Sequence, residues 1–283
     1  MSADNSEQIA EWNGALGERW AAMQREIDRI VVPFGDAALK VAAPQPGERV
    51  IDVGCGCGGT SIEIARRVGR TGAVVGIDVS QPMLEVARAR ATSANLENLS
   101  LEHGDASDAA LPTGVDLLFS RFGVMFFNEP SKAFRHLREA LRPGGRCIFV
   151  CWRAPRDNPW AMAPLSAARK AMKITPPPAD PSAPGPFAFA DDERVRAILA
   201  AAGFDALRVQ RCDVPLSLGA TVRSAAEFAV HTGPVSRFVR EMGVEHLPTI
   251  TDAVERALAP LASADGSVSL TGSTWIVSAT NSG

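Results

Sequence analysis

No apolar run in this chain approaches the roughly 18 residues that a membrane-spanning helix needs, so no membrane span is expected. Basic charge is not in excess either: 29 lysines and arginines face 32 aspartates and glutamates, a net charge of −3. A nucleic-acid partner would call for a basic footprint, and the balance gives no electrostatic case for one, so none is expected. The opening Met1-Ser-Ala-Asp-Asn-Ser-Glu7 has neither a basic nor an apolar segment. No signal peptide is read there, and a cytoplasmic location is the expectation. Four histidines are scattered along the chain, and five cysteines cannot all pair within it. Cys55 and Cys57 share a glycine turn and Cys147 and Cys151 an apolar run; neither spacing matches zinc ligation. No metal and five reduced thiols are therefore expected. Tyrosine is absent altogether, and no physical reading attaches to that.

What the chain does have is 46% apolar residues, ample for a packed core. It also has one unusually informative stretch, Val50-Ile-Asp-Val-Gly-Cys-Gly-Cys-Gly-Gly-Thr60. An apolar strand ends in an acid, turns through glycines and enters a helix near Thr60. Glycine takes positive φ readily and lets a ligand lie against bare main chain. The helix start behind it offers free N–H groups and the positive end of a dipole. Gly54, Gly56 and Gly59 match G-x-G-x-x-G, and Asp78 stands about 20 residues on, where a dinucleotide's ribose meets an acid. Against a dinucleotide, Asp52 two residues before the first glycine would repel a pyrophosphate, and roughly fifty residues precede the turn. A carboxylate at that place suits a cationic ligand, such as one bearing an ammonium group.

From Arg49 to Val150 short apolar runs alternate with helical segments. Strands are expected at 49–53, 73–78, 99–102, 115–120 and 145–151, with helices near 60–69, 81–92 and 129–141. Such alternation means parallel strands, helical crossovers and a doubly wound sheet, whose ligands lie outside the carboxyl ends of the strands. Upstream, Ile9, Trp12, Leu16, Trp20, Met23, Ile27 and Ile30 fall on one helical stripe. Gly14 and Gly17 weaken its middle, and Pro33 is expected to limit its continuation. The stripe reads either as a helix covering the sheet or as a carrier of Trp12 or Trp20 over a ligand. Downstream, Ile174 to Phe187 holds six prolines, a linker or a stiff loop across the mouth of the site. Helix 191–202 and strand 207–214 follow, then helices at 223–232, 234–242 and 251–258, then a last strand at 268–279.

Asp78 closes Ala73-Val-Val-Gly-Ile-Asp78, and Gly104-Asp105-Ala106 closes the next strand. Val115-Asp-Leu-Leu-Phe-Ser-Arg-Phe-Gly-Val-Met-Phe-Phe127 and Leu141-Arg-Pro-Gly-Gly-Arg-Cys-Ile-Phe-Val150 come after them. With the glycine turn, this succession resembles class I S-adenosylmethionine-dependent methyltransferases. Trp12-Asn-Gly, Glu18-Arg-Trp20, Gly185-Pro-Phe-Ala-Phe-Ala-Asp191 and Trp275-Ile-Val-Ser-Ala279 resemble the branch grouped with ubiquinone/menaquinone-biosynthesis-type small-molecule methyltransferases. The resemblance implies a Rossmann-like α/β fold: a doubly wound, mostly parallel seven-stranded sheet with its last strand antiparallel. It implies an N-terminal helical cap over 1–44, a core over 45–214 with a proline-rich loop at 176–187, a helical lid over 215–266 and a final strand in 267–283.

The cofactor so implied is S-adenosyl-L-methionine, with S-adenosyl-L-homocysteine as product. Its expected neighbours are Trp20, Asp52, Gly54, Cys55, Gly56, Asp78, Val79, Met83, Gly104, Asp105, Ala106 and Ser120. Asp78 would accept two hydrogen bonds from the ribose diol, or it is a solvated strand-end acid. Asp105 would take the adenine amino group beside the Ala106 N–H, or cap a helix. Met83 would cover the adenine or fill the core, and the Ser120 carbonyl would meet the ammonium. Arg121 would bind an anionic part of a substrate or pair with a nearby acid. Phe122, Met125, Phe126, Trp152, Trp160 and Phe187 form the expected substrate pocket, which points to an apolar or aromatic acceptor. His231 is the candidate general base, or a structural histidine. The expected reaction is methyl transfer to a small molecule by in-line displacement, with O-, C- and N-acceptors all open. The alternatives are an inactive cofactor-binding module and a nicotinamide-dependent oxidoreductase.

Overall fold

In the computed structural model the apolar runs become β1 (Arg49–Val53), β2 (Ala73–Asp78), β3 (Leu99–His103), β4 (Val115–Arg121), β5 (Leu141–Trp152), β6 (Asp205–Gly219) and β7 (Val268–Thr280). Residues 5–175, 180 and 183–283 are described, with Glu7 by its backbone alone. Most of the proline-rich stretch expected to cross the mouth of the site, 176–179 and 181–182, lies outside the described residues. The strands form one seven-stranded sheet in the order β3-β2-β1-β4-β5-β7-β6. β1 to β5 pair in parallel, and β7 runs antiparallel to β5 from Trp152 opposite Thr274 to Arg146 opposite Thr280. The doubly wound sheet with its antiparallel last strand is thus as expected. Val50, Ile51, Leu117, Leu118 and Phe119 are all buried, as strands covered on both faces must be.

The helices are α1 (Ser6–Asn13), α2 (Ala15–Ala22), α3 (Gln24–Ala42), α4 (Gly59–Val68), α5 (Gln81–Ser93), α6 (Pro130–Ala140), α7 (Pro159–Ala171), α8 (Asp192–Ala201), α9 (Val222–His231), α10 (Gly233–Met242) and α11 (Leu247–Leu258). The N-terminal stripe breaks at Gly14 and again at Met23. Pro33, however, does not stop α3, which runs on through it to Ala42. The proline removes one backbone donor, but α3 buries Ile27, Ile30, Val31, Phe34, Ala38 and Leu39, and that burial outweighs the loss. β5 begins four residues earlier than the expected 145, because Val115 pairs with Leu141 before the register jumps to Leu117 opposite Arg146. The Pro143-Gly144-Gly145 turn is absorbed there as an irregularity, with Gly144 at φ +75°.

The chain divides into two compact units, one of residues 1–152, 183–212 and 274–283, the other of 153–182 and 213–273. Within the second, α11 packs on α7 and α9, and α10 on α7 and α9. Arg223 of α9 pairs with Glu227 and with Asp252 and Glu255 of α11. No expectation covered α7, whose start at Pro159 and internal Pro164 hide its helical period. No helix among the described residues is long and apolar enough to cross a membrane.

Candidate active site

The first unit gathers its polar groups at the carboxyl ends of β1, β2, β3 and β4. After Val53 the backbone turns through Gly54 (φ +67°), Gly56 (φ +54°) and Gly58 (φ +77°) into α4. A Cβ on Gly54 would stand 2.7 Å from the Cα of Gly123, so the loops after β1 and β4 touch main chain to main chain. Gly54 and Cys55 both donate their N–H groups to the Ile77 carbonyl, tying the turn to β2. Asp78 completes that tie: its Oδ2 accepts the Gly56 N–H at 2.7 Å and its Oδ1 the Ser80 N–H at 2.8 Å. Burial raises the Asp78 carboxyl above the ordinary range, and these N–H bonds oppose the rise.

Asp52 lies beneath the turn with no exposed surface. Its Oδ2 accepts the Thr60 hydroxyl at 2.7 Å and the Ser61 hydroxyl at 2.6 Å, both from the first turn of α4. Its Oδ1 is buried and accepts nothing among the described residues. Burial pushes this carboxyl up to about 6, although both hydroxyls and the Arg121 charge favour its ionised form. Cys55 and Cys57 are buried in the turn above it, and burial drives both thiols up, Cys57 to about 12. Such a rise disfavours the reactive thiolate at neutral pH.

The N-terminal helices reach the same strand ends. The Asn13 amide donates to the Val79 carbonyl at 2.6 Å, and its Oδ1 accepts the Gln81 N–H at 3.0 Å. The Ser80 hydroxyl donates to the Trp12 carbonyl at 2.7 Å, and a Cβ on Gly17 would overlap both groups. Asn5 donates to Asp105 Oδ2 at 2.7 Å, while Asp105 Oδ1 accepts the Ser107 N–H at 2.9 Å. Trp12 meets Trp20 and Phe126 edge to face, with ring centroids 5.4 and 5.5 Å apart. Met83 is buried with its terminal methyl against Gly56, Ala106 is buried, and the Gly104 N–H donates to the Asp78 carbonyl.

At the end of β4 the Ser120 hydroxyl donates to the Val53 carbonyl at 2.8 Å and accepts the Gly123 N–H. Arg121 is largely buried and lies 3.6 Å from Asp28 of α3, which also pairs with Arg90 at 2.9 Å and accepts from Gln24. Phe122 takes φ +62°, a costly value for a bulky residue and one concentrated at functional sites. That turn stacks its ring on Trp152 at 4.4 Å, with Phe34 edge-on to both. The Met125 sulfur accepts the Trp152 N–H, and its carbonyl accepts the Gly185 N–H. Phe187 is half-buried in the turn that follows. Trp160 and His231 belong to the second unit, Trp160 donating to Asn158 and His231 closing α9.

Sequence reasoning missed Asn5, Asp28, Phe34, Arg90 and Gly123. Only Gly123, in Arg-Phe-Gly, carried a local signal. Among the described residues no group of three or more His, Cys, Asp or Glu side chains is placed to hold a metal ion.

The donors and acceptors at these strand ends fit a cofactor made of adenosine and an amino acid. Asp78 is bonded to the glycine main chain at Gly56, Asp105 follows β3 with its Oδ1 on the Ser107 N–H, and Asp52 Oδ1 is a buried acceptor with no partner among the described residues. Comparison with known proteins agrees. A family described as a methyltransferase domain matches residues 44–180. A nocamycin O-methyltransferase of Saccharothrix syringae is 33% identical over 194 residues, covering 65% of this chain and 69% of that one. A demethylmenaquinone methyltransferase of Listeria monocytogenes is 31% identical over 133 residues, 47% of this chain and 56% of that one. The chain thus spans little more than half the length of the second relative. The crystal structure of the YcgJ protein from Bacillus subtilis has the same fold, with a TM-score of 0.57 at 20% identity, over 87% of this chain and 97% of that one. The strand order, the glycine turn with its two strand-end acids and these relatives lead to one conclusion: the chain belongs to the class I S-adenosylmethionine-dependent methyltransferases, in the small-molecule branch related to menaquinone biosynthesis.

Proposed function

We propose that this chain transfers a methyl group from S-adenosylmethionine to a small apolar or aromatic molecule. The observation that carries the reading is the meeting of the glycine turn with Asp78 at the carboxyl ends of β1 and β2. S-adenosylmethionine supplies a methyl carbon already activated by its sulfonium, so the protein need contribute little covalent chemistry. Asp78 holds the ribose diol, Asp105 and the Ala106 N–H read the adenine edge, and Met83 covers its face. Asp52 and the Ser120 carbonyl supply negative potential for the ammonium, while Gly54 and Gly56 let the main chain approach closely. Phe34, Phe122 and Trp152 form an apolar wall that excludes water, and an acceptor held against it is oriented by shape.

The names of the two relatives, a nocamycin O-methyltransferase and a demethylmenaquinone methyltransferase, support a small-molecule acceptor. Nothing favours the inactive module or the oxidoreductase. The test is an assay with methyl-labelled S-adenosylmethionine and a panel of phenols, hydroxyquinones and aromatic amines. Labelled product together with S-adenosylhomocysteine is expected for at least one aromatic acceptor. Cofactor binding with no label passing to any of them would overturn the proposal.

A further inference from the structure

The side chain of Asn5 does something unusual for its position. Asn5 is the N-cap of α1, where asparagine ordinarily accepts a backbone N–H of the first turn through its own Oδ1. Here it makes no such bond. Its amide turns away and donates to Asp105 Oδ2 at 2.7 Å, and its Oδ1 is buried and accepts nothing among the described residues. The helix start therefore loses its cap and a buried carbonyl oxygen is left unpartnered, two costs that the single bond to Asp105 must offset.

An asparagine amide presents an –NH2 donor beside a C=O acceptor. The adenine edge presents the same pair, an exocyclic amino group beside a ring nitrogen. We infer that Asn5 is a built-in competitor for the adenine edge: it holds the Asp105 carboxylate in the free protein and must release it before the base of the cofactor can take its place. The inference rests on the cofactor reading above. The Ser107 N–H takes Oδ1 and the Asn5 amide covers Oδ2, so an incoming amino group that approaches Oδ2 has to displace the Asn5 side chain. Release is local. Asn13 fixes the far end of α1 through Val79 and Gln81, so only the first turn has to move. Once freed, the Asn5 side chain can swing back and cap α1. The residue thus has two positions, plug and cap, and the cofactor selects the second.

The apparent affinity for an adenine-bearing ligand is lowered by the fraction of molecules in the plugged position. Calorimetric titration with S-adenosylhomocysteine of the wild-type chain and of the variants Asn5→Ala and Asn5→Asp tests this. Asn5→Ala abolishes the competitor, and Asn5→Asp keeps a good helix cap while Asp105 repels it. Both are expected to bind roughly three- to tenfold tighter than wild type, the gain from removing one hydrogen-bonded competitor. Melting curves without ligand show whether each variant is folded. Equal or weaker binding by the two folded variants would overturn the inference and leave the cofactor reading intact. A wild-type chain that does not bind S-adenosylhomocysteine at all would remove the cofactor reading, and this inference with it.

Discussion

Asp52 and Asp78 are both carboxylates buried at strand ends, yet they differ in how their oxygens are used. Asp78 has an N–H on each oxygen, whereas Asp52 has two hydroxyls on one and, among the described residues, nothing on the other. Charge on Asp52 is therefore poorly compensated. Its folded-state value near 6 lies above the ordinary 3.8, so between these limits the folded chain holds a proton that the unfolded chain has lost. Stability from this group is full below about pH 4 and declines as pH rises through about 6. Asp52→Asn removes that decline. The variant should melt above wild type at pH 7.5, and the difference should shrink toward zero near pH 4; a wild type more stable than the variant at pH 7.5 would contradict the burial argument. Asp78→Ala has the opposite character. It leaves two N–H groups without their acceptor and removes the proposed ribose partner, so binding of S-adenosylhomocysteine should weaken by about 1–3 kcal/mol. Unchanged affinity by calorimetry would take Asp78 out of the site.

Among the elements, α3 makes the clearest case of tertiary packing overriding local preference. Pro33 sits in the middle of its 19 residues and leaves the Arg29 carbonyl without its usual donor. Pro33→Ala should raise stability by about 1–2 kcal/mol in a urea titration, less than the full helix-interior penalty because proline also restrains the unfolded chain. No gain would mean that the helix has already adjusted around the proline. The same contrast explains what could be read in advance. β1, β2 and β4 and the helices between them announce themselves by period and by the glycines and acids at their ends. α7 does not, since Pro159 and Pro164 imitate a loop. Nor do Asn5, Asn13 and Asp28 stand out as site residues. Their partners lie far along the chain, Asp105 being 100 residues from Asn5, and bonds across such separations leave no periodic trace. Phe122 falls between these cases: its identity pointed to the pocket, but nothing in the sequence foretold its left-handed backbone.

For the molecule as a whole, the ligand-linked prediction is thermal. S-adenosylhomocysteine at a hundredfold excess over its dissociation constant should add about 2.7 kcal/mol to the folded state. For a chain of this length that corresponds to roughly 5–10 °C in melting temperature. NAD at the same concentration should leave the curve unmoved, and a shift with NAD alone would overturn the cofactor assignment. The order of the strands has a further consequence, for synthesis. β7 lies between β5 and β6, and its residues 268–280 follow both in the chain. While the ribosome is still adding 220–267, neither β5 nor β6 has the neighbour that will separate them, and both present open hydrogen-bonding edges. The nascent chain can assemble β1 to β5 as it emerges, but the sheet closes only when β7 takes its place between β5 and β6, so this seam is the last part of the sheet to form.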